Sequence, residues 1–368
     1  MLFRSRVNLK KTEDRSYEIL IGEDILKKVP LDLKNEKNIY HCLIISDSNV
    51  ASLYGDGLLE QCTNSGLNSH LISFPAGEIH KNRDSKSRIE DEMSKLKIGR
   101  DSCVIALGGG VVGDVAGFVA ATYNRGIPYI QAPTTLVASV DSSIGGKTGV
   151  DTSYGKNLIG AFYQPWRVYI DVNTLKTLHE KEIREGLAEV IKYGVIKDEK
   201  LFEYLERNRD HIFSSNADAL THIIKRGCEI KGQVVELDEK ESNLRKILNF
   251  GHTIGHAIEN ISDYKISHGE AISMGMVTEV KIALELGFWK LDEYERLVSL
   301  FERTGLPTKL PDSLDLSRMI DTMRLDKKAR GGKIEMVLPR KIGRMVEVDG
   351  SYGIKIEEGL IRRILDLD

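Results

Sequence analysis

An excess of positive charge is absent from this chain: 52 lysines and arginines stand against 55 aspartates and glutamates, for a formal net charge of -3 over 368 residues. A polyanion such as nucleic acid therefore has no electrostatic reason to bind it. Cysteine is scarce, and Cys42, Cys62, Cys103 and Cys228 fall without metal-ligand spacing, which predicts reduced thiols. No apolar run reaches the roughly 18 residues that a membrane-spanning helix needs. The start, Met1-Leu-Phe-Arg-Ser-Arg6, lacks the apolar stretch of a secretory leader. Together these absences predict a cytoplasmic protein with neither a nucleic-acid nor a membrane partner. Internal repeats, low-complexity tracts and long linkers are missing as well.

What is there is ample apolar material. Hydrophobic residues make up 41% of the chain and charged residues 29%, a globular balance. Because a single core rarely keeps growing beyond about 250–300 residues, the length predicts two domains. Short β-branched runs at Cys42 to Ser46, His70 to Phe74, Cys103 to Leu107, Tyr129 to Ala132 and Val168 to Ile170 alternate with helical stretches, the pattern of a largely parallel sheet. From Glu180 to Arg324 the period lengthens to that of helices, with Leu187, Val190, Ile191 and Val195, then Leu220, Ile223, Ile224 and Cys228. The expected fold is α/β: a Rossmann-like, mostly parallel sheet domain over residues 1–178, then a mainly α-helical, metal-binding domain over 179–368. Near the end, Ile334 to Leu338 and Met345 to Val348 read as a hairpin around Gly343, and Leu360 to Leu367 as a closing helix.

Strand-like Cys103 to Leu107 runs into Gly108-Gly-Gly-Val-Val-Gly-Asp114 and then into helical Val115 to Thr122. Gly108, Gly110 and Gly113 fit G-x-G-x-x-G, in which missing side chains let backbone N–H groups and a helix N-terminus approach a diphosphate. The rival reading is a tight turn that merely needs glycine. The usual ribose-binding acid, about 20 residues on, is absent, since that neighbourhood reads Tyr129-Ile-Gln-Ala-Pro133. Asp47 and Glu78, at the ends of the two earlier strands, are candidates to hold the ribose instead, against an ordinary turn role for each.

The segment Leu248-Asn-Phe-Gly-His-Thr-Ile-Gly-His-Ala-Ile-Glu259, followed by His268-Gly-Glu-Ala271, carries the metal signal. His252 and His256 lie four apart on one helix face, and His268 follows a short polar connection, so three imidazoles can meet in one cleft. A lone histidine is ordinarily a hydrogen-bonded core or surface residue. Three so close, flanked by Gly251, Gly255 and Gly269, point to a metal. Two histidines and a carboxylate leave coordination positions open, as a catalytic zinc-like site requires, and Glu189 is the carboxylate candidate. Spacing alone pairs His252 with His256 as in H-E-x-x-H, but the intervening Thr-Ile-Gly lacks the glutamate of that motif.

Lys147 in Ser142-Ser-Ile-Gly-Gly-Lys147 and Lys156 in Gly155-Lys-Asn157 each stand beside small residues where a backbone approaches an anion closely. Lys192 follows Glu189 by three in an apolar helix, so the two share a face, as substrate-binding groups or as a structural ion pair. Lys231 and Arg245 are ambiguous in isolation, although Arg245 closely precedes Asn249 and His252.

In their order these motifs resemble one family, the 3-dehydroquinate synthases of the sugar-phosphate cyclase group. The resemblance covers Pro75-Ala-Gly-Glu78 with Lys81, the run from Gly108 to Phe118, Arg125-Gly126, Pro133-Thr-Thr135, Asp141 to Thr148 and Gly155 to Phe162. It resumes with Ala188-Glu-Val-Ile-Lys192, Asn249 to Glu259, His268 to Ala271 and Asp326-Lys-Lys328. It implies that Glu189, His252 and His268 bind a divalent metal, zinc or cobalt, and that His256 handles protons beside it, which overrules the spacing argument. Asp141, Lys147, Asn157, Lys192, Lys231, Arg245 and Asn249 would surround the substrate, joined by Lys327 or Lys328. Arg125 would reach its phosphate, within one chain or across a homodimer interface. An NAD site would be lined by Asp47, Asn49, Glu78, Lys81, Gly109, Gly110, Val111, Asp114, Thr134, Thr135, Lys147, Lys156, Thr174, Thr177 and Leu178.

The activity this implies converts 3-deoxy-D-arabino-heptulosonate 7-phosphate to 3-dehydroquinate and phosphate. Oxidation at C5 by NAD acidifies the C6 proton, phosphate leaves by β-elimination, the hydride returns, and an intramolecular aldol closes the ring. Substrate phosphate itself is a base for the C6 proton. Another sugar-phosphate cyclase is the nearest rival, and retention of Gly145-Gly-Lys-Thr148 and Asn249 favours the heptulosonate. A metal-dependent NAD polyol dehydrogenase is a second, disfavoured because a neutral polyol needs no receptor of lysines and arginine. A non-enzymatic NAD-sensing module comes last.

Overall fold

The computed structural model describes residues 14–36, 38–325 and 333–366. Its first half is built on six strands, β1 (Glu18–Gly22), β2 (His41–Asp47), β3 (Asn68–Phe74), β4 (Ser102–Gly108), β5 (Tyr129–Pro133) and β8 (Arg167–Asp171). They lie in the order β1-β8-β5-β4-β2-β3, and every pairing is parallel. Parallel strands covered on both faces read as continuous apolar runs, and β4 is buried along its whole length. One face packs Leu43, Ile45, Val104 and Ala106 on the helix Gly110–Thr122. The other packs Cys42, Ile44, Cys103 and Ile105 with Val29 and Leu58. The chain leaves β2 for β3 on one side and β4 for β5 on the other. The carboxyl ends of β2 and β4, at Asp47 and Gly108, therefore flank the switch point where open α/β sheets bind ligands.

Two further strands, β6 (Lys147–Thr152) and β7 (Gly155–Phe162), form an antiparallel hairpin outside this sheet. Among the described residues the second half is mainly helical, with Glu180–Lys197, Ala217–Leu237, His252–Ile261 and His268–Glu285 nearest the cleft. Its core is continuous with the sheet, since Val168 and Ile170 of β8 join Leu187, Ile191, Ile254 and Ile272 in one cluster. The expected order of a parallel-sheet part followed by a helical part is the observed one.

The carboxyl-terminal expectation needs correcting. Gly343 does turn a hairpin, but its strands are Pro339–Lys341 and Arg344–Met345. Lys333–Met336 pairs instead with Ile354–Glu357, because Ile334, Met336 and Ile356 share a buried side. The closing helix spans Glu358–Leu365, beginning two residues earlier than expected.

Candidate functional site

Helix packing brings the three imidazoles together. Gly251 takes a φ of 79°, ends the preceding turn and starts the His252 helix. A Cβ at Gly275 would fall 2.1 Å from the Gly251 carbonyl oxygen, so the His252 and His268 helices cross backbone against backbone. The buried Glu279 carboxylate accepts the Gly251 N–H at 2.7 Å and fixes the crossing. The His268 helix opens with a capping box, in which Glu270 accepts the Ser267 N–H at 2.9 Å. Both helix N-termini thus deliver their first residue, a histidine, to the same place.

Glu189, 1% exposed in the helix Glu180–Lys197, meets them there. Its Oε1 lies 3.3 Å from His252 Nε2 and 3.2 Å from His268 Nε2. The far nitrogens are engaged: His252 Nδ1 lies 3.1 Å from the Phe250 carbonyl oxygen and His268 Nδ1 3.3 Å from Glu259 Oε2. An imidazole anchored at Nδ1 presents the Nε2 lone pair, the arrangement of metal-ligating histidines. Two imidazole nitrogens and one carboxylate oxygen, all within 4.8 Å of one another, suit zinc or cobalt. Lys192 pairs with the other Glu189 oxygen. Burial would raise the Glu189 pKa, yet the Lys192 charge and the histidine contacts hold it well below its usual range. His256 opens to the cleft, its ring 5.2 Å from that of His252 and 6.3 Å from that of His268.

The metal corner shares a cleft of about 600 Å³ with Asp141, Lys147, Asn157, Lys192, Lys231, Arg245 and Asn249, the set that the family resemblance implies around the substrate. Lys231 Nζ stands 2.7 Å from Asp141 Oδ1, and the Tyr193 hydroxyl donates to the same oxygen at 2.7 Å. Burial would raise the Asp141 pKa, but Lys231 and Lys192 bring it down to about 2. Lys147 pairs with Glu241, which also accepts from Asn249 Nδ2 at 2.6 Å. The guanidinium of Arg245, 2% exposed, donates among the described residues only to carbonyl oxygens, those of Glu239 at 2.5 Å and Gly145 at 3.4 Å, and its Nε has no hydrogen-bond partner there, while the Arg245 backbone N–H donates to Asp238 at 3.0 Å.

The residues expected at the NAD site fall into groups. Gly109, Gly110 and Val111 form the turn from β4 into the helix Gly110–Thr122. A Cβ at Gly113 would lie 2.8 Å from Gln131 Oε1, so this glycine lets the helix press on β5 where the usual fingerprint has its close approach. Thr134 and Thr135 follow β5, and the buried Thr134 hydroxyl has no hydrogen-bond partner among the described residues. Asp47 accepts from Asn49 and Val50 N–H groups at 2.9 and 3.1 Å, capping a short helix. Thr177 Oγ1 lies 2.7 Å from the Tyr54 hydroxyl, and that hydroxyl donates to the Thr174 carbonyl at 3.2 Å, with Leu178 next in sequence. Glu78, Lys81 and Lys156 line a second cleft of about 830 Å³, which the glycine turn does not reach. Lys81 pairs with Asp114, which lines the first cleft, at 2.6 Å. An orphaned hydroxyl, a bare glycine turn and a helix N-terminus at the sheet's switch point fit a dinucleotide.

Arg125 is exposed on the turn after the helix Gly110–Thr122 and does not line either cleft. Lys327 and Lys328 lie outside the described residues. Sequence reasoning assigned no role to Glu241, Glu259, Tyr193 or Glu279. Only Glu259 left a usable signal, three positions after His256 on one helical face.

Comparison with known proteins places this geometry. Residues 71–185 match the 3-dehydroquinate synthase N-terminal family model and residues 186–329 the 3-dehydroquinate synthase C-terminal model. The chain is 50% identical to the 3-dehydroquinate synthase of Thermoanaerobacter pseudethanolicus over 333 residues, 90% of this chain and 93% of the relative. Its fold is similar to that of a 2-epi-5-epi-valiolone synthase from Streptomyces hygroscopicus subsp. jinggangensis with NAD+ and Zn2+ bound, at a TM-score of 0.87 and 28% identity, covering 98% of each chain. A 2-deoxy-scyllo-inosose synthase complexed with carbaglucose-6-phosphate, NAD+ and Co2+ matches at a TM-score of 0.86 and 27% identity, over 94% of this chain and 95% of the other. The nearer relatives carry one name and these two solved structures are related cyclases: the chain belongs to the 3-dehydroquinate synthase family.

Proposed function

We propose that this chain converts 3-deoxy-D-arabino-heptulosonate 7-phosphate to 3-dehydroquinate and inorganic phosphate, as a carbon-oxygen lyase acting on a phosphate ester. The observation that carries the reading is Arg245. A buried cation is costly unless paired, yet among the described residues its guanidinium hydrogen-bonds only to carbonyl oxygens, in the cleft that His252 and His268 line. An anionic substrate supplies the missing counter-charge, whereas a neutral polyol does not.

In this reading Glu189, His252 and His268 hold zinc or cobalt. When bound, the ion would supply polarisation of the hydroxyl to be oxidised, and NAD+ would supply the transient oxidation and its reversal. The chain itself binds, orients and moves protons. Lys192, Lys231, Arg245 and Lys147 neutralise a carboxylate and a phosphate that otherwise repel each other, while Asn157 and Asn249 orient hydroxyls. Asp141 keeps Lys231 charged and in place. His256 takes the hydroxyl proton. Holding the substrate in a near-attack geometry contributes on the order of 7–11 kcal/mol to lowering such barriers. Asp47, Asn49, Glu78, Lys81, the Gly109 to Val111 turn, Asp114, Thr134, Thr135, Lys147, Lys156, Thr174, Thr177 and Leu178 line the cofactor path. Lys327 or Lys328 completes the substrate pocket, and Arg125 serves the phosphate of the other protomer in a cytoplasmic homodimer. The division into domains falls between residues 178 and 179, and no nucleic acid or membrane takes part.

The test is phosphate release from the heptulosonate phosphate by metal-loaded protein with catalytic NAD+, with absorbance read for NADH. Stoichiometric phosphate and 3-dehydroquinate without net NADH are expected. NADH accumulating on simple polyols, without phosphate release, would replace this reading with a dehydrogenase.

A further inference from the structure

Glu259 has no part in the chemistry above, yet it stands between the two ligand sites. It is 4% exposed, on the His252 helix seven residues after His252. One oxygen lies 3.3 Å from His268 Nδ1 and the other 3.2 Å from Lys156 Nζ. Lys156 reaches from the β6–β7 hairpin of the sheet half, sits 3.4 Å from Glu78 Oε1, and lies 4.3 Å from the centre of the Tyr264 ring. A continuous chain of charged contacts thus runs from Glu78 through Lys156 and Glu259 to a proposed metal ligand.

We propose that Glu259 is a positioning residue that orients His268 for the metal, and that Lys156 couples metal affinity to occupancy of the cofactor side of the cleft. This rests on the metal and cofactor reading above. A carboxylate facing the far nitrogen of a ligating imidazole fixes the ring and raises its donor strength. Lys156 competes for the same carboxylate. A cofactor group entering the cleft of Glu78, Lys81 and Lys156 and drawing the ammonium away leaves Glu259 to His268 alone, so the metal binds more tightly when NAD+ is present. By linkage, the metal tightens NAD+ by the same factor.

The experiment measures Co2+ affinity of the full chain by competition with a chromophoric chelator, with and without NAD+, while the visible Co2+ absorption reports the coordination shell. Glu259→Gln, equal in size and still able to accept from Nδ1, is expected to weaken Co2+ binding by about 10–100-fold and to shift its spectrum, with the thermal midpoint of the metal-free chain unchanged. NAD+ tightens Co2+ in the parent by about fivefold or more. Lys156→Met, whatever its NAD+ affinity, binds Co2+ more tightly than the parent when NAD+ is absent, and NAD+ adds nothing further. Parent-like Co2+ affinity in Glu259→Gln, or unchanged NAD+-free affinity in Lys156→Met, overturns the proposal. Glu189→Ala is the control: Co2+ still bound there overturns the metal site, and this relay with it.

Discussion

The carboxyl ends of the central strands offer largely backbone, whereas the helical half, joined by Asp141, Lys147 and Asn157 from beyond β5, offers side chains. At the carboxyl ends of β2 and β4 the working parts are a turn of three glycines, a helix N-terminus and a helix-capping aspartate. Across the cleft they are a carboxylate, three imidazoles, two buried lysines and a buried arginine. A dinucleotide is long and repetitive in charge, and repeated N–H dipoles suit it. A small, densely charged substrate and an ion need full charges at fixed points. Single substitutions should therefore do far more damage in the helical half.

The largest effect is expected from His268→Ala. Losing one of three ligands removes the ion and turnover together, by about 10³-fold or more if several kcal/mol of charge stabilisation go. Metal analysis alongside phosphate release checks this, and full occupancy in the variant would remove His268 from the ligand set. Arg245→Ala comes next. Truncating a buried, hydrogen-bonded charge costs about 2–5 kcal/mol of binding, so kcat/KM should fall by roughly 10²–10³-fold with NAD+ affinity retained. An equal loss of NAD+ binding by titration would erase the contrast between the halves. Asp47→Ala should have the smallest effect, since losing a helix cap costs about 1 kcal/mol. A slightly lower melting temperature and a few-fold weaker NAD+ affinity are expected, and a loss as deep as that of His268→Ala would break the comparison from the other side.

The strand-turn-helix around Gly108 was legible in the sequence because it rests on local periodicity plus residue chemistry, whereas spacing alone paired His252 with His256, and the trio Glu189, His252 and His268 came from the family resemblance. The β6–β7 hairpin was not legible. Its positions alternate poorly, and Gly149 and Gly160 are there for contact between backbones: a Cβ at Gly160 would fall 2.0 Å from the Thr148 carbonyl oxygen. Pairing of Lys333–Met336 with Ile354–Glu357 was hidden because a nearer glycine turn competed for the same strand. Glu241 was hidden differently. Its contacts to Lys147 and Asn249 join residues far apart in sequence, and no one-dimensional pattern records such a meeting. The unassigned residues are mostly acidic partners of the assigned ones, the groups that hold a cation in place.

The glycine contact between the His252 and His268 helices separates folding from loading. In domains where a metal is the only reason for its ligands to converge, the binding free energy is also folding free energy, and a chelator unfolds the chain. Here the crossing is set by Gly275 against the Gly251 carbonyl and by Glu279 holding the Gly251 N–H, with Ile254, Ile258 and Ile272 in the core beneath. The imidazoles converge whether or not an ion arrives. Little of the ion's affinity is then consumed in ordering the polypeptide, and one divalent metal can be exchanged for another without rebuilding the protein around it.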